Sequence, residues 1–554
     1  MLRASNDRVT LAPRDNGTST GDGRMGIHVK LGIIPQRIAP GQWAEAYDEV
    51  LHLLHQHPSR LMGLQYRLVD GVRVAAHTRS LEVVAEDPSW RCWHVVGDWT
   101  SGRTGESAIM YRDLQRYPRC EDAEDILLLD PVERPPTRVF GDKTQGLPYH
   151  LPLLAAALVV ENRLPGAAWA RGDIDRDQAE AARAWAGEVL GRPLALPVSV
   201  DAPALRERLA RFHRGEPLVA AFASLYLGER DQLLAAIGAE LGEPALRSWL
   251  LGEIARHGSP AEHGALQLLA AWLDTDRPLE ELCELCCLEP RGPRFEAEAL
   301  ARAVAWIAIP RQETPCPGLL ARPPGQPMTS DQQIAAVGLD LYLPGWRLRR
   351  HLEQQAIARA FSAAFGAGRL PRLLAALEQR IGEVRARLAG VRQLLAAAQP
   401  RGDDEAAWPA APDGLNALQR ERLELLALTL GPASPLRPLL LSRVPPLAGA
   451  LRADPSAMRR VIAVIVTSHN IILTEDAWRW IAAETDRELL ALLAVLAPLS
   501  APSLGRWFAG AIKALLQSRD LALYLLHRSR QQATIERQNE VAEAIERARG
   551  LLPL

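Results

Sequence analysis

An apolar, β-branched run over Ile27–Ile34 reads as a strand, and the spacing that follows predicts a helix over Pro40–His57. Two further runs, Leu61–Val69 and Val72–Thr78, are joined by Asp70-Gly71. That dipeptide is a strong hairpin signal, because both central positions of such a turn tolerate positive φ. The chain thus opens strand, helix, strand, strand. Another strand ends at Asp98, and Thr104–Leu114 reads as a loop passing into a short helix.

After a loop rich in Glu, Asp and Pro over Glu121–Pro136, strands are expected at 137–140, 167–172 and 194–200, and helices at 148–164, 176–190 and 203–213. Asp175 can cap the helix at 176, with Gln178 placed to reach back as in a capping box. Strands alternating with helices imply some parallel pairing, whereas the hairpin must be antiparallel, so the sheet is expected to be mixed.

Past about residue 215, β-branched runs become rare, and Ala, Leu, Arg and Glu recur at helical spacing almost to the end. The expected fold class is therefore a mixed-sheet α/β N-terminal region followed by a predominantly α-helical C-terminal region, in a multidomain chain. The boundaries read as a polar, disordered tail over 1–24, a mixed α/β domain over 25–214, a helical domain over 215–330, a helical segment over 331–400, a linker over 401–414 and a C-terminal helical domain over 415–554. Met25 is an alternative to Met1 as the true start. Proline-rich joints divide the helices, and no fixed period marks a repeat array. Within 331–400, Leu370, Leu374, Leu377, Ile381, Val384, Leu388, Val391 and Leu395 recur at spacings of four and three. That is the seam of a coiled coil. Its short run, with Gly382 and Gly390 inside it, favours a hairpin within the chain over an intermolecular pair.

Charge selects no partner class: 64 Lys plus Arg stand against 66 Asp plus Glu. Basic residues are dispersed among acids, with no aromatic-plus-basic strand motif, so there is no clear nucleic-acid signal. Six cysteines are too sparse for a disulfide framework, which fits a reducing cytoplasm. The Ala, Leu and Arg bias fits a GC-rich bacterial genome. The most apolar stretches are short and broken by prolines, so no membrane span is expected.

Three strand-like runs stop at Gly-Asp, namely at Asp98, Asp142 and Asp173. On one sheet with one direction, those carboxylates would gather at the carboxyl edge, where open α/β sheets bind ligands. They could hold Mg²⁺ or Mn²⁺, or act as acid and base. Separate turns and caps are the plainer reading, since Gly-Asp also occurs at 21–22 and 402–403, away from any strand.

The loop after Asp98 carries hydroxyls, Arg103 and Glu106, and suits a phosphate or a carboxylate. The segment after Asp142 delivers Lys143, Tyr149 and His150 to a helix start, which attracts anions. Lys143-Thr144 lacks the upstream glycines of a P-loop. Catalytic candidates are accordingly Asp98, Glu106, Asp142, Lys143, His150 and Asp173, with Asp98, Asp142 and Asp173 as the metal alternative. Cys283, Cys286 and Cys287 share one helix face and read as small buried hydrophobes rather than a zinc site.

The sequence requires no cofactor and identifies no reaction. With few catalytic motifs and a long helical half, the expectation is a protein-interaction or regulatory scaffold. Its helical region would bind a protein partner or a second copy. The alternative is an enzyme or binding protein for a phosphorylated or carboxylated small molecule, with or without a divalent cation.

Overall fold

A computed structural model of the chain describes residues 27–84, 87–119, 125–127, 136–141, 143–228, 230–275, 277–310, 350–398, 436–450, 454–500, 506–523 and 525–527, with single positions at 313, 336, 338, 339 and 343. The expected tail over 1–24, Asp142 and the expected linker over 401–414 lie outside the described residues. The strands are β1 Val29–Ile33, β2 Leu61–Val69, β3 Val72–Thr78, β4 Glu82–Val83, β5 Cys92–Asp98, β6 Thr104–Tyr111, β7 Thr137–Phe140, β8 Ala168–Gly172 and β9 Leu473–Thr474. Mixed sheets in the N-terminal region are followed by many helices, as the patterning predicts. No helix among the described residues is long and apolar enough to cross a membrane.

The chain divides into two compact units that are not linear in sequence. One is built from Met1–Ser59, Ala85–Cys92 and Thr100–Gln399, the other from Arg60–Val84, Trp93–Trp99 and Pro400–Leu554.

The first unit contains a three-stranded sheet in the order β7-β1-β8, with β1 antiparallel to both neighbours. Helices α1 (Pro40–His55), α2 (His150–Arg163) and α3 (Arg176–Leu190) accompany it. Helix α2 is apolar nearly all round and buried from Pro152 to Glu161, and it lies against β1 and β8. The Asp175 cap is realised, its Oδ1 accepting from Gln178 N at 2.8 Å.

Three expectations change. The alternation of β7, α2 and β8 produces two strands that run the same way but do not touch, because β1 is inserted between them. The parallel pairing is lost to that insertion. Residues 194–200 form no strand, because side chains at the end of α2 take the place of a neighbouring strand. Glu161 Oε1 accepts from Val198 N at 2.9 Å, while Asn162 Oδ1 accepts from Ala195 N at 2.8 Å and its Nδ2 donates to Ala195 O at 3.0 Å. Thr104–Tyr111, expected as a loop, is strand β6, whose polar residues Gly105 and Glu106 are exposed while Ala108 and Met110 are buried.

Beyond the sheet, a continuous apolar cluster runs through the first unit's helices as far as Leu377. The helix Leu370–Ala398 continues through Gly382 and Gly390. Its buried residues are Leu373 and Leu377, in that cluster, then Val384 and Leu388 against Trp306, Ile309 and Leu343. The described part of the seam is thus covered by earlier segments of the same unit.

The second unit holds the path β4-β5-β2-β3-β9, in which β2 is antiparallel to both β5 and β3, and β3 is parallel to β9. The Asp70-Gly71 turn joins β2 to β3 in full register, with positive φ at both residues. Its core combines Val69, Val74 and Ala76 with helices from Leu436 onward.

Candidate functional site

The three Gly-Asp strand ends belong to two sheets: β5 to the second unit's, β7 and β8 to the first unit's. The premise of one sheet edge is therefore corrected. Asp98 is fully buried and opposite Leu61 in register. Among the described residues no group of three or more His, Cys, Asp or Glu side chains is placed to hold a metal ion.

Asp173 shows why glycine precedes it. Gly172 has φ +132°, and a Cβ there would meet His28 O at 2.3 Å. Only glycine allows that approach. It lets Asp173 N donate to His28 O at 2.9 Å, while His28 N donates to Asp173 Oδ2 at 2.8 Å. The carboxylate closes the end of β8 onto the chain entering β1.

Glu106, Lys143, Tyr149 and His150 come together in one hydrogen-bonded knot. Lys143 N donates to Glu106 Oε2 at 2.9 Å, and Glu106 N donates to Lys143 O at 3.2 Å. The Tyr149 hydroxyl is directed at both Glu106 O and Lys143 O, at 3.2 and 3.3 Å. Gly105 leaves room for it, since a Cβ there would lie 2.1 Å from the hydroxyl. Thr144 Oγ1 donates to Ile27 O at 3.1 Å and lies 2.7 Å from His150 Nδ1. With its single proton given to Ile27, the hydroxyl accepts from His150, which assigns the Nδ1–H tautomer. His150 and Tyr149 are fully buried, so the start of α2 is filled by the protein's own groups.

Beside this knot, the open end of the β7-β1-β8 sheet gathers cations. Lys30 and Arg171 are directly paired across β1 and β8. Arg138 and Lys30 both crowd the place of a Cβ on Gly141, at 2.7 Å from Arg138 Cδ and 3.4 Å from Lys30 Cγ. Arg171 lies over the Trp169 ring, 4.2 Å from its centroid, and burial pushes its guanidinium below the ordinary value. Lys143 is bridged to His28 at the same sheet end.

None of the Lys30, Arg138, Lys143 and Arg171 side chains makes an ion pair or hydrogen bond with a described residue. Like charges directly opposite in a sheet are destabilising, by a few tenths to about 1 kcal/mol. The His28 imidazole shares this field. Burial pushes its pKa down most, Lys30 next, Asp173 draws it up, Lys143 pushes it down, and a hydrogen bond to the Gly141 carbonyl draws it up.

Of the sequence candidates, Lys143 and Asp173 thus join this edge, whereas His28, Lys30, Arg138 and Arg171 are added by it. Their signal was the polar position next to buried ones in three strands, but register was needed to bring them together. Cys283 and Cys286 are buried, and Cys287 is half-buried with its thiol pushed up to about 12 by burial and nearby glutamates. Such thiols are poor nucleophiles. In the helical part, a groove of about 860 Å³ runs between the helices Glu216–Leu225 and Glu243–Ile254, lined by Leu218, Ala223 and Trp249 and edged by Glu216 and Glu253.

No family model, curated protein or solved structure matches this chain.

Proposed function

We propose that the protein binds an anionic small molecule, phosphorylated or carboxylated, at the open end of the β7-β1-β8 sheet. The observation that carries this reading is the in-register pair Lys30 and Arg171, flanked by Arg138 and Lys143; the nearby Asp173 carboxylate is bonded to His28 N, and none of the four cations is ion-paired with an acid among the described residues. An anion between these cations replaces repulsion with charge-assisted hydrogen bonds, worth roughly 1.5–3 kcal/mol each. Arg171 is stacked on Trp169, so its planar fork is held ready for a bidentate contact. Trp169 itself is buried and leaves no open ring for a nucleobase to stack on. The role is binding rather than acid–base catalysis, because His150, the candidate proton carrier, is closed off by the protein.

Calorimetric titration with inorganic phosphate, a phosphomonoester and a tricarboxylate tests it. Saturable binding of at least one of them, lost in Lys30→Glu and Arg171→Glu, is expected. Absence of binding by all three, or equal binding by the variants, overturns it.

A second reading is the interaction scaffold of a bacterial cytoplasm, favoured by the groove beside Trp249. An amphipathic helix of a partner protein is the occupant that suits its apolar floor and an edge made by Glu216 and the Glu253–Arg256 ion pair. The protein purified gently from its host would carry a stoichiometric partner that Trp249→Asp releases. A partner-free wild type would count against this reading.

A further inference from the structure

His28 stands one residue before β1, where three segments meet. Its main chain is clamped by both hydrogen bonds to Asp173 and bridged to Lys143. The charged groups facing its ring are Lys30 from its own strand, Lys143 from the segment after β7 and Asp173 from the segment after β8. Nδ1 of the ring is buried with no hydrogen-bond partner among the described residues, and the Gly141 carbonyl favours the protonated ring. A second proton on the ring makes it an imidazolium.

Two of the groups that keep that proton off, Lys30 and Lys143, are the ammonium groups that would receive an anion. Once an anion sits between them their repulsion of an imidazolium is cancelled, and the attraction of Asp173 is left to act. Building on the anion-binding reading above, we infer that ligand capture at this edge is coupled to fractional uptake of a solvent proton by His28, so that the site holds anions more tightly in mildly acidic than in alkaline solution. Linkage makes the coupling reciprocal: whatever the anion does to the proton, the proton does to the anion.

Inorganic sulfate is the probe, because it stays doubly charged throughout the window, so any proton taken up belongs to the protein. The full chain is titrated with sulfate at pH 6 and pH 8, and at pH 6.5 in two buffers of unlike ionisation enthalpy. Tighter binding at pH 6 is expected, with about threefold as the ceiling that a half-unit rise sets. The heat at pH 6.5 should differ between buffers in the sense of proton uptake. His28→Gln keeps the main-chain clamps and should bind sulfate with both dependences gone. Nuclear magnetic resonance of the wild-type imidazole provides a reading independent of any variant: its titration midpoint should rise when sulfate is added. Sulfate binding with equal heats, equal affinities and an unmoved midpoint overturns the coupling and leaves the anion-binding reading standing. No sulfate binding at either pH overturns the coupling, while the anion-binding reading is decided by the phosphate, phosphomonoester and tricarboxylate titrations.

Discussion

On the β2–β3 hairpin, Arg67 and the Thr78 hydroxyl share the Glu475 carboxylate, at 3.3 and 3.0 Å, and Asp70 meets Arg459 at 2.8 Å. On the β7-β1-β8 sheet, Lys30 faces Arg171, with Arg138 alongside, and none of the three is ion-paired with an acid among the described residues. Acids were not in short supply, since the chain carries 66 of them against 64 basic residues. The contrast separates charge that completes a fold from charge that the fold leaves open, and only the second kind offers something to a ligand. The interiors differ as well: burial displaces the carboxyl of Glu161 in the first unit, and the imidazoles of His77 and His94 in the second.

The interiors provide the largest expected effect. Burial pushes Glu161 up to about 7, against the pull of the Val198 and Ala170 N–H groups and Arg208. A raised pKa contributes stability that is complete below the unfolded value of 4.5 and is lost as pH rises through 7. Burial, then Lys513 and His94, push His77 down to about 3, and burial pushes His94 down to about 4. Their contribution is complete above 6.5 and is lost as pH falls through 4 and 3. Acidification from pH 7 to pH 5 should therefore firm the first unit and loosen the second, by on the order of 3 kcal/mol each. Amide hydrogen exchange resolved by segment measures both, and parallel behaviour of the two units would break the contrast.

Next in size is ligand binding. Arg171→Glu should weaken sulfate binding at least about a hundredfold, roughly 2.7 kcal/mol. Arg67→Glu, in the closed pair, should leave it unchanged. Comparable losses in both variants would mean that the open edge has no special role. Gly172→Ala places a Cβ 2.3 Å from His28 O at φ +132°, and should cost about 2 kcal/mol in denaturant unfolding while loosening the His28 clamp. Smallest is Glu475→Ala. Its pair with Arg67 is about one-third exposed on each side, so the loss should be about 0.5–1 kcal/mol in the same assay.

Local signals were legible where local chemistry decides the outcome. Asp70-Gly71 predicts the hairpin, Asp175 the start of α3, and the apolar runs predict β1, β7 and β8. Legibility fails where a distant group substitutes for a local one. Residues 194–200 look like a strand, but Glu161 and Asn162 satisfy their backbone from a helix. Gly-Asp at 172–173 was visible as a motif. Its purpose, a turn tight enough for Asp173 to reach back to His28, required the antiparallel register of β8 on β1. The cationic edge was hidden for the same reason: Lys30, Arg138 and Arg171 are scattered in sequence, and only the insertion of β1 between β7 and β8 collects them.

That insertion also sets a timetable. Leu31 leaves the ribosome long before Phe140 and Ala170, the residues it must pair with on either side. Throughout that interval β1 has two unpaired edges and an apolar face, the kind of segment that aggregates if left uncovered. Only when β7, the apolar helix α2 and β8 have all been made can the strand be enclosed, so this small sheet closes as one late event of high contact order. The earliest strand among the described residues must wait for the latest of its sheet before both its edges are paired.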